Sequence, residues 1–299
     1  MKHFLIFSLL PLFTLFSCAE QIEVGTIEWL RNYDTAVSKS KETGKPIFLL
    51  FQEVPGCQGC QDFGREVLSN PLIKKSVEEA FIPLMIRNNA SSGHDLEILQ
   101  KFKEPAWNYQ VVRFIDADGK DLIPRKDRIW NTKLLSGRMK EALKKAKQTI
   151  PESLSLVYQE NDAQNHAVAA FAMYCFWTGE VKLGKINGVV STEAGWFDGR
   201  EVTLVKYHKE TLSLKNLVKE AQKVDCAHSV YLPEGESTKS LPTRLKLGTL
   251  DNSYRTAQSS DQKKQLQGVL TETETLTEAQ LTKLNAFIRT DRKSALKFL

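Results

Sequence analysis

An unbroken apolar run, Ile47-Phe48-Leu49-Leu50-Phe51, is followed after a short loop by Cys57-Gln58-Gly59-Cys60. Apolar residues at helical spacing, Phe63, Val67 and Leu68, then run to an Asn70-Pro71 stop. The run reads as a buried strand and the spacing as a helix. The first thiol then sits near a helix N-terminus, where unpaired amides and the helix dipole stabilise a thiolate. Few folds offer a strand, a loop, two cysteines and a helix in that order, and a layered α/β domain is the one that does so around a dithiol. The flanking chain agrees. Trp29, Tyr33 and Ala36 recur at helical spacing before the Thr43-Gly44-Lys45-Pro46 break. A second apolar run from Phe81 to Ile86 precedes a helix with Leu96, Leu99 and Phe102. A strand from Val111 to Ile115 closes on Asp116-Ala117-Asp118-Gly119, and a last helix carries Leu134, Leu135, Met139 and Leu143.

On these residues the stretch 22–150 resembles the thioredoxin-like family, which implies an α/β sandwich with Cys57 and Cys60 as its redox pair. Two departures stand out. Val54-Pro55-Gly56 precedes Cys57 where the family usually has a bulky residue, and this run is similar to a subset of secreted relatives in which the attacking position can be selenocysteine. The family's cis-proline, counted back from Gly119, falls on Gln110, with Pro105 five residues too early. A structural disulfide is the other reading of the pair. Zinc would need two further ligands, and the only nearby histidine is His94, so no metal is expected and no cofactor is implied.

The chain has 299 residues, enough for about two domains. With 41% hydrophobic and 26% charged residues it is neither disordered nor a membrane channel. Its net charge of +5 comes without a sustained basic block, so nucleic acid is not an implied partner. Residues 1–19 open with Lys2 and His3, continue through mostly apolar Phe4 to Phe16 and end in Ser17-Cys18-Ala19, the pattern of a secretory signal peptide. The apolar stretch is too short for a membrane-spanning helix, which needs about 20 residues. Leu15-Phe16-Ser17-Cys18 also resembles a bacterial lipobox, so Cys18 is either discarded or lipidated. Of five cysteines, at 18, 57, 60, 175 and 226, four remain in either case.

Residues 151–163 are polar and proline-punctuated and read as a connection, leaving 164–299 as a second domain. His166 to Met173 suits a buried strand that delivers Tyr174-Cys175-Phe176-Trp177. A lone cysteine there is most simply a small buried hydrophobe. Its neighbours, however, are similar to the Phe-Ala-Met-Gly-Cys-Phe-Trp signature of A-type methionine sulfoxide reductases. Blocks at 186–196, His208-Lys209-Glu210, Ser253-Tyr254-Arg255-Thr256 and Gln262 follow in that family's order. The resemblance implies an α+β ferredoxin-like roll, with Cys175 as nucleophile and Phe176 and Trp177 as the pocket for the substrate methyl group. It also implies Glu210 as proton donor and Tyr254 as a second donor to the sulfoxide oxygen.

Attack by Cys175 would leave a sulfenic acid that a second thiol condenses into a disulfide. Cys226 is the resolving candidate, its other reading being a core thiol. Departures from the reductase pattern lie at Tyr174 and Thr178, which replace glycines, in the missing Pro-Thr-Tyr before His208, and at Thr249 in place of an aspartate. Thr277 and Gln280 form a capping-box pattern ahead of a last helix. The expectation is an exported thiol oxidoreductase of the periplasm or cell envelope that reduces (S)-methionine sulfoxide in oxidised envelope proteins. Its fused dithiol would be the electron donor, recharged by a membrane or periplasmic thiol partner. The alternative is a thioredoxin-like disulfide reductase whose second domain is inactive and only binds clients; a third reading is a non-enzymatic envelope binding module.

Overall fold

The computed structural model describes residues 22–106, 110–269 and 276–299. The expected signal segment, Cys18 included, and Thr271–Thr275 lie outside them. Among the described residues no helix is long and apolar enough to cross a membrane.

Helix α1 (Tyr33–Thr43) begins at Asn32, whose side chain accepts the Thr35 N–H, and ends at Gly44, whose left-handed φ of 72° suits glycine. Strand β1 (Ile47–Gln52) is buried along its whole length. Helix α2 (Gln58–Asp62) runs into a wider-turned segment, Phe63–Leu68, where the Ser69 N–H reaches back to the Gly64 carbonyl at 2.9 Å. Helix α3 (Pro71–Ala80) starts with Pro71 at its first position and Asn70 accepting the N–H groups of Leu72 and Ile73. Strand β2 (Ile82–Arg87), helix α4 (Gly93–Lys101), strands β3 (Val111–Ile115) and β4 (Lys126–Asp127) and helix α5 (Thr132–Lys145) complete the first sheet and its cover.

The strand order is β2-β1-β3-β4, with β1 parallel to β2 and antiparallel to β3. Central β1 is therefore covered on both faces, which is why its sequence is continuously apolar. Phe48 and Leu50 pack with Val77, Phe81, Leu135 and Met139; Ile47, Leu49 and Phe51 pack with Tyr33, Ala36, Ile98 and Leu99.

The segment 151–163, expected to be a connection, is instead helix α6 (Glu152–Asn161) with Ser153, Leu154, Leu156 and Val157 buried. Pro151 precedes the helix and does not interrupt it. The Ser153 hydroxyl meets that of Ser76 on α3 at 2.9 Å. One apolar cluster runs from Phe48 through Leu154 and Val157 to Val190, Ala279 and Phe298, so the two halves share a core across α6.

Beyond it come β5 (His166–Ala172), α7 (Phe176–Gly184), β6 (Val189–Phe197), β7 (Arg200–His208), α8 (Leu214–Lys223), β8 (Ser229–Leu232), β9 (Lys246–Thr249), β10 (Arg255–Thr256), α9 (Glu278–Phe287) and α10 (Arg292–Ala295). Their sheet has the order β10-β6-β7-β5-β8-β9. The units β5-α7-β6 and β7-α8-β8 interleave as split β-α-β pairs, and in the order β6-β7-β5-β8 each strand is antiparallel to its neighbours. This half is α+β. At α9, Thr277 and Gln280 exchange side-chain to backbone hydrogen bonds of 3.2 and 3.1 Å, a complete capping box.

Candidate functional site

Two thiol centres stand at helix N-termini. Cys57 is the N-cap of α2 and is exposed, while Cys60, one turn on, is fully buried. Their sulfurs are 3.7 Å apart as thiols. The Cys57 N–H donates to Glu53 Oε2 at 3.2 Å, and the Glu53 carboxylate lies within 4.8 Å of both sulfurs. Below the pair, the Gln52 amide donates to the carbonyls of Glu23 (2.9 Å) and Cys60 (3.2 Å), and the Gly56 N–H donates to Glu23 Oε1 at 2.9 Å. Trp130 stands over Gly59, edge-on to Phe63 with ring centres 6.3 Å apart. Burial, reinforced by the Cys57 contact, pushes the Cys60 thiol up to about 12. Cys57 is thus the accessible thiol of the pair and Cys60 the buried one.

The Val54–Pro55 peptide is cis. Gln110, at the position counted for the family's cis-proline, is buried, and its amide makes both hydrogen bonds to Ile129, accepting from the N–H at 2.8 Å and donating to the carbonyl at 2.5 Å.

Cys175 is the half-buried N-cap of α7, with no capping bond from its own side chain. Glu201 supplies one instead: its Oε2 accepts the Phe176 N–H at 2.8 Å. Phe176, the next residue, is edge-on to Trp177 (5.9 Å) and to Trp196 (5.5 Å). Glu201 and Trp196 are cross-strand partners in the β6–β7 hairpin. Asp198 and Gly199, with φ of 52° and 66°, make its two-residue turn.

The expected acid, Glu210, is not brought to Cys175. In the β5–β7 register Ala172 faces Val202 and His166 faces His208, so Glu210 follows the far end of β5, about 20 Å of strand away. There His208 Nε2 meets Asp162 Oδ2 at 3.0 Å, and Glu210 approaches the same pair. Burial alone would push Asp162 up, but bonds from Asn165, Lys133 and His208 hold its carboxyl well below the usual range. The carboxylate that bonds the start of α7 is Glu201, at the beginning of β7, a position outside the motif that ends in Glu210. The Asp198-Gly199 turn was the available signal, since it fixes Glu201 level with the end of β5.

Tyr254 also lies apart. Along β6, Ala194 packs with Phe176, whereas Gly195 lies so close beneath the Tyr254 ring that any side chain there would overlap it. Successive strand residues point to opposite faces. Tyr254 is therefore on the face away from Phe176, its hydroxyl donating to Glu193 at 2.7 Å. Burial and the Glu193 carboxylate push its phenol up. Cys226 is fully buried in the cluster of α8 with β5, β7 and β8, and burial pushes its thiol up.

Comparison with known proteins bears on the first half. A family model described as thioredoxin-like matches residues 28–117. A solved structure titled DsbH Oxidoreductase is similar over 41% of this chain and 88% of its own, with 23% identity and a TM-score of 0.34. None of the curated proteins matches the chain. Residues 28–117 thus match the thioredoxin-like family model, and they contain the paired thiols of Cys57 and Cys60.

Proposed function

We propose that the chain is an exported two-centre thiol oxidoreductase in which the Cys57–Cys60 dithiol exchanges disulfides and Cys175 reduces methionine sulfoxide in envelope proteins. The observation that carries the second activity is the Glu201 carboxylate on the N–H of Phe176, the residue after Cys175, with the Phe176 ring edge-on to Trp177 and Trp196. In this reading the Cys175 thiolate attacks the sulfoxide sulfur while a proton passes to the oxygen through the Glu201 carboxyl group. The S–O bond breaks, methionine leaves, and Cys175 holds a sulfenic acid. Cys57 then attacks that sulfur with loss of water. Cys60 displaces Cys175 from the mixed disulfide, leaving Cys57–Cys60 oxidised and Cys175 restored.

The contacts between the halves favour exchange between two molecules. Trp130, beside the dithiol, leads into α5, whose Lys133 pairs with Asp162 at 2.6 Å, and Asp162 holds His208. That path reaches β5 at His166, whereas Cys175 lies beyond the strand's other end.

A second reading, a disulfide reductase whose C-terminal half only binds clients, is favoured by one observation: Tyr254 is committed to Glu193 on the opposite face of the sheet. Turnover of the S epimer of methionine sulfoxide with dithiothreitol decides between them. Activity that Cys175→Ser abolishes supports the first reading; absence of turnover by a chain that still reduces disulfides leaves the second.

A further inference from the structure

We propose that the reduced dithiol is also a zinc site, with Cys57 Sγ, Cys60 Sγ and a Glu53 carboxylate oxygen as its three protein ligands and a fourth position open to solvent. The sequence places only two cysteines together, and two ligands are too few. The fold adds a third, because the loop after β1 turns back so that Glu53 meets the first turn of α2. A tetrahedral ion with zinc–sulfur bonds near 2.3 Å holds its two sulfurs about 3.8 Å apart. The thiols already stand at 3.7 Å, so the pair chelates without moving. Bonds of about 2.1 Å to oxygen put sulfur and oxygen about 3.6 Å apart in the same geometry. All three ligand atoms are already within 4.8 Å of one another, so the carboxylate closes by about 1 Å at most.

The surroundings hold the ligands in place. The Cys57 N–H fixes one Glu53 oxygen at 3.2 Å, and Gln52 ties the Cys60 carbonyl to the β1 edge at 3.2 Å. Such outer bonds orient ligands and strengthen a metal site. Each thiol gives up its proton on binding, so one zinc ion displaces two protons from the pair. Three protein ligands and an exposed Cys57 make an exchangeable site, unlike the closed four-ligand sites that stabilise folds. Bound zinc engages both sulfurs and removes them from disulfide exchange until a chelator takes the ion away.

The test titrates the reduced full chain with zinc alone, by calorimetry against a competing chelator. Cadmium serves as a spectroscopic substitute whose thiolate charge-transfer absorption reports metal–sulfur bonds. The expected result is one equivalent bound with release of about two protons. Binding is lost in Cys57→Ser, is weaker by about tenfold or more in Glu53→Gln, and is unchanged in Cys175→Ser. Equal affinity in Glu53→Gln, or binding that survives Cys57→Ser, overturns the site. So does absence of binding by a chain whose thiol titre shows both cysteines reduced. Disulfide exchange measured with chelator present reads the redox activity separately, so a chain that exchanges but does not bind zinc removes this inference alone.

Discussion

The Glu201 carboxylate accepts the Phe176 N–H at 2.8 Å and so caps the helix on which Cys175 is the N-cap. The two residues are 25 apart in sequence and meet because the Asp198-Gly199 turn folds β7 back along β6, placing Glu201 opposite Trp196. The anion complements the helix N-terminus.

Glu201→Gln should keep the cap, because an amide oxygen also accepts the Phe176 N–H, yet lose the proton donor. Sulfoxide turnover should fall about 100-fold or more, with the thermal midpoint nearly unchanged. Glu210→Gln, at the other end of β7, should retain turnover. Steady-state kinetics of both variants check this, and a larger loss in Glu210→Gln would return the acid to that position.

Much of the first half is legible in the chain itself. Continuous apolar residues at Ile47–Phe51 mean a strand covered on both faces, and the cysteines after it mean a helix-start dithiol. What was not legible depends on register and on faces. Glu201 lies near the start of β7 and Glu210 just past its end, and the β5–β7 pairing puts them at opposite ends of β5. Tyr254 sits in a matching motif, but which face of β6 it covers is decided by Gly195, a single-residue alternation that motif matching does not weigh. Helix α6 was hidden because Pro151 and the polar residues after it resemble a connection, and its buried Leu154, Leu156 and Val157 are interspersed with Ser153, Ser155 and Gln159.

The two dithiol cysteines should react in strict order. Cys57 is exposed, and Cys60 is buried with its thiol pushed up to about 12. Alkylation by iodoacetamide near neutral pH should modify Cys57 first, and Cys60 should become reactive only as the pH climbs through the alkaline range toward that value. The raised value also enters stability. The folded state holds the Cys60 proton above the unfolded thiol's pKa of about 8.5, so this contribution is present below that pH and is lost as pH rises. Peptide mapping after alkylation gives the order, and simultaneous labelling at neutral pH would contradict it.

Cys226 lies at zero exposure among Leu217, Val218 and Ala221 and reaches the Val224 carbonyl at 3.5 Å. Cys226→Ala should therefore keep sulfoxide turnover and cost about 1 kcal/mol of stability through lost packing. Resolution of Cys175 should come from the dithiol of another molecule. Mixing Cys175→Ser with a Cys57→Ser, Cys60→Ser chain should then restore turnover driven by a thiol donor that reduces only the dithiol. Turnover that needs all three cysteines in one chain, or that disappears in Cys226→Ala, would show that resolution takes place inside a single molecule.

Lys283 joins α9 to the end of α7 opposite Cys175, its ammonium donating to the carbonyls of Gly184 and Ile186 at 2.8 and 2.9 Å. A cation there complements the helix C-terminus, but burial brings the amine down to about 7. The unfolded lysine titrates near 10.4, so between these values the unfolded chain binds more protons than the folded one. Stability should thus rise with pH across that window, with a slope approaching one proton, because the cost of burying the charge fades as the amine becomes neutral in both states. Lys283→Met should flatten the rise. Urea unfolding of both chains at several pH values reads the difference, in which the opposing Cys60 contribution cancels because it is common to both. Identical slopes in the two chains would mean that the buried amine does not change its protonation on folding.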